Sequence, residues 1–361
     1  MATVFFTGFP GFLGSELLPR VLERDTGVEA VCLVQAKFAE LARRRAGEIT
    51  AQRPGLAGRV RIVEGDITQP GLGLSDAALA RETAEVYHLA AVYDLSVARD
   101  LAMRVNVQGT RHVLEFAAGC PGLRRLQYVS TCYVSGRYPG VFYEDDLEKG
   151  QRFNNHYEET KYLAEVEVRR RMREGMPASI YRPAIVVGDS RTGATQKYDG
   201  PYYVIQWLLR QPEVAVLPVV GNTQETVLNV VPRDFVVAAI AYLSAHAEAA
   251  GKTFQLADPE PLSIDAMLKA LGRATGRRIV RVPLPHAVAK WAIDRVPGVY
   301  PLMRIPSSAL DYFVHPTRYD TRHTREALQG SGLALPRFAD YAEALTSFVR
   351  AHPEVEAKAM V

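Results

Sequence analysis

A chain of 361 residues with a 48% hydrophobic fraction can hold one large α/β domain or two unequal ones, and it has ample material for a buried core, which excludes a disordered chain. Its 43 Lys and Arg stand against 40 Asp and Glu, a net charge of +3 that shows no nucleic-acid-binding excess, so anionic ligands must be met locally. Cys32, Cys120 and Cys132 form no C-x-x-C pair and are too few for a disulfide framework, as expected of a protein of the reducing cytoplasm.

No basic segment with an apolar run and cleavage site opens the chain, so no signal peptide is expected. Instead an apolar run over residues 3–7 leads at once into TGFPGFLGS and a leucine-rich stretch. A strand, a tight glycine turn and a helix start present backbone N–H groups to a pyrophosphate. Gly8 would permit the turn, Gly11 would let the backbone approach phosphate and Gly14 would let the helix lie close to the sheet, with Phe12 and Leu13 between them. Further apolar runs at 30–35, 60–64, 85–91, 126–130 and 178–182 alternate with amphipathic segments such as 106–118 and 158–174. That alternation predicts an α/β fold built on a Rossmann-type, doubly wound parallel sheet.

The second run ends at Gln35, where an acidic side chain would accept the ribose 2′-OH of NAD and a basic one would pair with the 2′-phosphate of NADP. With no Asp or Glu there, and with Lys37 and the arginines 43–45 following, NADPH is the expected cofactor. NADH is the alternative if those arginines are only a solvated helix face.

Further along, LQYVSTCYVSG offers the hydroxyls of Ser130 and Thr131 at a strand end, and YEETK places Tyr157 and Lys161 four apart on one helix face. A phenol with its usual pKa near ~10 exchanges protons poorly at neutral pH, and a neighbouring ammonium would lower it. After Gly188 the segment SRTGATQKYDGPYY has loop composition. We therefore expect a cofactor-binding domain over 1–187, continued by roughly 227–259, and a smaller interleaved substrate region over 188–226 and 260–361. Tyr198, Tyr202, Tyr203, Trp207, Trp291 and Tyr300 in that region would line an apolar pocket or serve as its core. Lys290, Arg295 and Arg304 among the later aromatics would suit a peripheral membrane contact or another subunit. No apolar stretch approaches the ~18 residues of a membrane span, and no His, Cys, Asp or Glu spacing suggests a metal site.

The spacing G-x-x-G-x-x-G after Thr7, followed in order by VYHLAAV, NVQGT, YVSTCYVSG, YEETK and YRPAIVVG, resembles the extended short-chain dehydrogenase/reductase family over most of residues 1–190. The resemblance implies a catalytic Thr131, five residues before Gly136 and 26 before Tyr157, with Ser130 in reserve, and catalytic Tyr157 and Lys161. It also implies that Asn106 supports the site and that the VYHLAAV strand, with Leu89, Ala90 and Ala91, lines the nicotinamide side. Asp66 and Ile67 would contact adenine, and Pro183 and Ile185 the nicotinamide amide. His88 is expected to be structural.

The run EGDITQPGLGLS resembles the GD-x-x-x-P-x-LGLS stretch of fatty acyl-CoA reductases and of the thioester-reductase domains of carboxylic acid reductases; LVQAK resembles their LVRAK, with Gln35 in place of the arginine. That branch implies NADPH-dependent reduction of an acyl thioester, on coenzyme A or a carrier, or of the derived aldehyde. The alternatives are a ketone or secondary-alcohol reductase, a nucleotide-sugar epimerase or dehydratase, and a non-catalytic cofactor sensor. A homodimer would follow the family's habit.

Overall fold

In the computed structural model, which describes residues 2–74 and 78–355, the apolar runs pair side by side into one parallel sheet. Its strands are Ala2–Thr7 (β1), Val28–Val34 (β2), Val60–Glu64 (β3), Thr83–His88 (β4), Arg125–Val129 (β5), Ala178–Pro183 (β6) and Thr253–Leu256 (β7), in the order β7-β6-β5-β4-β1-β2-β3. Both faces are covered, which is why the inner strands read as continuous apolar runs. Alternate residues of β1 supply the two layers. Val4 and Phe6 pack with Leu17, Leu18 and Val21 of helix Gly14–Glu23 (α1) and with Val236, Ile240 and Leu243 of helix Arg233–Ala245. Phe5 packs on the other face against Val113 and Leu114 of Gly109–Ala118 (α2) and Ala164 and Val168 of His156–Arg173 (α3).

The strand order reverses between β1 and β4, and ligands of such sheets bind beyond the strand ends at this switch point. Thr7 and His88, the last residues of the two strands, are register partners there. The run expected as strand 85–91 stops at His88, and Leu89–Ala91 leave the sheet to border the cleft. The helix expected from residue 106 begins regularly at Gly109, preceded by a π-helical turn, Met103–Gln108, that carries Asn106. A Cβ on Gly109 would meet the Ile67 side chain at 2.8 Å, so glycine lets α2 lie against that loop.

A wholly buried ion pair fixes α3 to the sheet: the Arg182 guanidinium lies 2.6 Å from Glu165 Oε1, and Ser130 donates to Glu165 Oε2 at 2.6 Å. Arg182 and Arg169 hold the Glu165 carboxyl below its ordinary pKa despite burial. A second apolar cluster joins Tyr198, Tyr202, Ile205 and Leu208 to Ile264, Leu268 and Leu271 of helix Ile264–Thr275 and to Leu345 of helix Phe338–Ala351. Of the six aromatics, Tyr198 and Tyr202 are therefore core, whereas Trp291 and Tyr300 are exposed. Among the described residues no helix is long and apolar enough to cross a membrane.

Candidate active site

The turn Thr7–Ser15 follows directly from its glycines. Gly8 has φ +89°, and a Cβ there would sit 2.7 Å from the Ala90 nitrogen, so the turn presses on the segment leaving β4. Cβ atoms on Gly11 and Gly14 would meet the Gly8 carbonyl oxygen at 2.8 and 2.5 Å. Gly14 is thus required by closeness to the turn itself rather than to the sheet. The Gly11 N–H closes the turn on Gly8 O at 2.9 Å, while the N–H groups of Phe12, Leu13 and Gly14 find no acceptor among the described residues. Three open donors at the N-terminus of α1, bordering a cleft, form an anion cradle.

That cleft has a volume of about 400 Å³ and runs from the glycine turn across the switch point. It brings together Gly8, Gly11, Phe12, Leu13, Gly14, Gln35, Asp66, Ile67, Leu89, Ala90, Ala91, Thr131, Tyr157, Lys161, Pro183 and Ile185, residues up to 177 positions apart in sequence. At one end, Asp66 accepts from the Thr68 N–H at 2.8 Å and from Gln35 Nε2 at 2.9 Å. Lys37 is not in the lining; its ammonium lies 5.0 Å from the centroid of Phe38, whose ring does line this end. Of the arginines beyond, Arg43 pairs with Glu64 and Arg45 with Glu48. Ser75, the last residue of the LGLS match, lies outside the described residues.

At the centre, Asn155 caps α3 by accepting from the Glu158 N–H, which starts the helix one turn before Lys161. Tyr157 is half-buried. Burial raises its phenol above the ordinary pKa, Glu158, Asp199 and Tyr93 add to the rise, and the Thr131 hydroxyl opposes it. The expected lowering by Lys161 is not what the fold gives: Thr131, not Lys161, opposes the rise. The Lys161 ammonium is bonded to Val129 O at 2.8 Å and Tyr128 OH at 3.1 Å, and burial lowers its own pKa to about 7. Thr131 donates to Pro183 O at 3.3 Å, whereas Ser130 is consumed by Glu165. Ile185 borders the cleft with its N–H already bonded to Asn229 O at 3.1 Å.

Asn106 stands outside the lining. Its Oδ1 accepts from the Val92 N–H at 2.9 Å, and its Nδ2 donates to Val92 O and Thr160 Oγ1, each at 3.0 Å, tying the cleft wall to α3. His88 bridges Thr7 and Thr110 at 2.7 and 2.9 Å and is held neutral by burial, its pKa lowered to about 3. Both tie neighbouring elements together by hydrogen bonds.

Beyond Tyr157 the cleft is apolar, with Val204, Leu228, Ile264, Met267, Leu268, Leu271, Ala309 and Phe313, plus Tyr203 and Tyr312. Tyr312 donates to Glu158 Oε1 at 2.9 Å and accepts from Asn155 Nδ2 at 3.1 Å, so a segment more than 150 residues away closes onto the start of α3. Sequence patterning does not single out Tyr312, nor Tyr93, Lys197 and Asp199 of the same lining. The only signal for Lys197 and Asp199 is a charged pair two apart in a Gly- and Tyr-rich loop.

A family model described as "Male sterility protein", an NAD-binding domain, matches residues 6–240. The chain is 30% identical over 280 residues to a component of the linear gramicidin synthase of Brevibacillus parabrevis, a match covering 73% of this chain and 5% of that protein. It is 26% identical over 321 residues to an aldehyde reductase of Aspergillus flavus, covering 83% of this chain and 31% of the other. The terminal R domain from the myxalamid PKS-NRPS biosynthetic pathway superposes with a TM-score of 0.82 at 28% identity, over 99% of this chain and 92% of that one. The chain spans 5% of the first curated relative and 31% of the second.

Proposed function

The chain belongs to the male sterility family of NAD-binding, thioester-reductase-like extended short-chain dehydrogenases/reductases, and on that premise we propose that it reduces an acyl thioester, or the derived aldehyde, with NADPH. One observation carries the reading: a single cleft joins open backbone donors, the Thr131, Tyr157 and Lys161 set, and a long apolar end suited to a fatty or polyketide-like chain. When bound, the nicotinamide supplies hydride. The N–H groups of residues 12–14 would hold its pyrophosphate, Asp66 and Ile67 its adenine, and Lys161 its nicotinamide ribose.

Tyr157 donates a proton to the substrate oxygen, and Thr131 orients that oxygen. NADPH is supported by the absence of an acidic residue at position 35 and by the Lys37 ammonium at the rim of the adenine end. Three buried cysteines free of disulfides suit a reducing cytoplasm. We further propose the division into a cofactor domain, 1–187 with roughly 227–259, and a substrate region.

The test is cofactor oxidation by NADPH and NADH across acyl-CoAs, carrier-bound acyl groups, aldehydes and ketones, with free thiol measured alongside. Thioester reduction releases one thiol per carbonyl reduced. Tyr157→Phe should lose about 100-fold or more in kcat/KM. Turnover of ketones alone, with no thiol released, would refute the reading.

A further inference from the structure

Thioester reduction leaves a second charge to accommodate besides the one on oxygen. Hydride addition to the carbonyl carbon, with the proton of Tyr157 passing to oxygen, yields a hemithioacetal and a phenolate. The C–S bond then breaks with its electron pair going to sulfur, while the hydroxyl returns its proton to Tyr157 and the aldehyde forms. A thiolate must depart into a cleft that is largely apolar.

Among the described lining residues the cations are Lys161 and Lys197 and the carboxylates are Asp66 and Asp199. Lys161 is bonded to Val129 O and Tyr128 OH, and its remaining donor is the one proposed for the nicotinamide ribose. Lys197 stands on the substrate side, in the loop between strand Ile185–Val187 and helix Pro201–Leu209, with its side chain only 12% exposed. Its Nζ lies 2.8 Å from Asp199 Oδ2 and 4.5 Å from the centroid of the Tyr93 ring. Tyr93, Lys197 and Asp199 line the same cleft as Thr131 and Tyr157, so the cluster shares the enclosed space in which the carbonyl is reduced.

From this geometry we propose that Lys197 is a catalytic residue for C–S cleavage, its ammonium receiving the departing thiolate while Asp199 and the Tyr93 face hold it in place. The thiolate and the ammonium meet as an ion pair, and no proton transfer between them is needed for the C–S bond to break. The thiolate takes its proton from water on leaving. The step rests on the thioester reading above.

The test is single turnover, with enzyme in excess over an acyl-CoA and saturating NADPH, following cofactor oxidation and free thiol together in wild type, Lys197→Met and Lys197→Arg. Loss of one preorganised charge-stabilising group costs about 100-fold or more, so in Lys197→Met thiol release should lag cofactor oxidation by that factor, and Lys197→Arg should restore most of it. A thioester of an acidic aromatic thiol, whose sulfur needs less help, should recover the Met variant. Reduction of the free aldehyde, which expels no thiol, should lose far less. Thiol release keeping pace with cofactor oxidation in Lys197→Met, equal losses on thioester and aldehyde, or no recovery with the acidic thiol would each overturn the proposal. Wild type that releases no thiol at all would instead overturn the thioester reading on which it rests.

Discussion

Replacing Asn106 with alanine separates positioning from contact. The asparagine is buried and satisfies both backbone groups of Val92, at 2.9 and 3.0 Å, besides donating to Thr160. Thr160 keeps its bonds to the His156 and Tyr157 carbonyls in the variant, but the Val92 N–H and C=O lose their partners. An unsatisfied buried polar group costs about 1–3 kcal/mol, so the two together should lower the unfolding free energy by about 2–6 kcal/mol. Val92 borders the cleft and Thr160 lies three residues beyond Tyr157, so the variant also loosens the wall against α3. A misplacement of ~1 Å costs about 100-fold in rate, which should appear in kcat while the dissociation constant of the cofactor moves far less. Urea unfolding, steady-state kinetics and a cofactor titration read the three quantities, and a double-mutant cycle with Thr160→Val isolates the side-chain bond. A stability loss under ~1 kcal/mol with unchanged kcat would refute the positioning role, and a loss confined to cofactor affinity would show direct contact instead.

Burial lowers the Lys161 pKa to about 7, so between that pH and the ~10.4 of an unfolded lysine the unfolded chain binds a proton the folded one does not. Stability should therefore rise with pH across that window, by at most ~1.4 kcal/mol per unit, and Lys161→Met should abolish the rise in urea titrations. An unchanged slope in the variant would remove burial as its cause. Gly8→Ala places a Cβ against the Leu89–Ala90 backbone at φ +89° and should cost about 1–3 kcal/mol of cofactor affinity, measured by titration. Ala309→Phe fills part of the apolar end; at about 0.8 kcal/mol per excluded methylene, kcat/KM should fall more for long acyl chains than for short ones.

The alternation of apolar runs and amphipathic segments carried the sheet and its helices, because strand and helix periodicities are local properties of the chain. The glycine spacing, Thr131, Tyr157 and Lys161 were legible for the same reason: a turn, a strand end and one helical turn each bind their residues by short-range geometry. Other features depended on parts of the chain that meet only on folding. Lys161 was expected to lower the Tyr157 pKa, yet desolvation under the folded cleft raises it, and desolvation is a property of the whole enclosure rather than of a four-residue spacing. Asn106 reads as a site residue in sequence and stands as a clamp on Val92 in the fold. Tyr312 reaches Glu158 from 154 residues away, and Lys197 meets Tyr93 across the cleft, contacts no periodicity can announce. The sequence by itself determined the scaffold and the local settings of Thr131, Tyr157 and Lys161. Which side chains line the apolar end of the cleft, and the placing of Lys197 against Asp199 and Tyr93, were decided by tertiary packing, since only there do distant loops share one enclosed space.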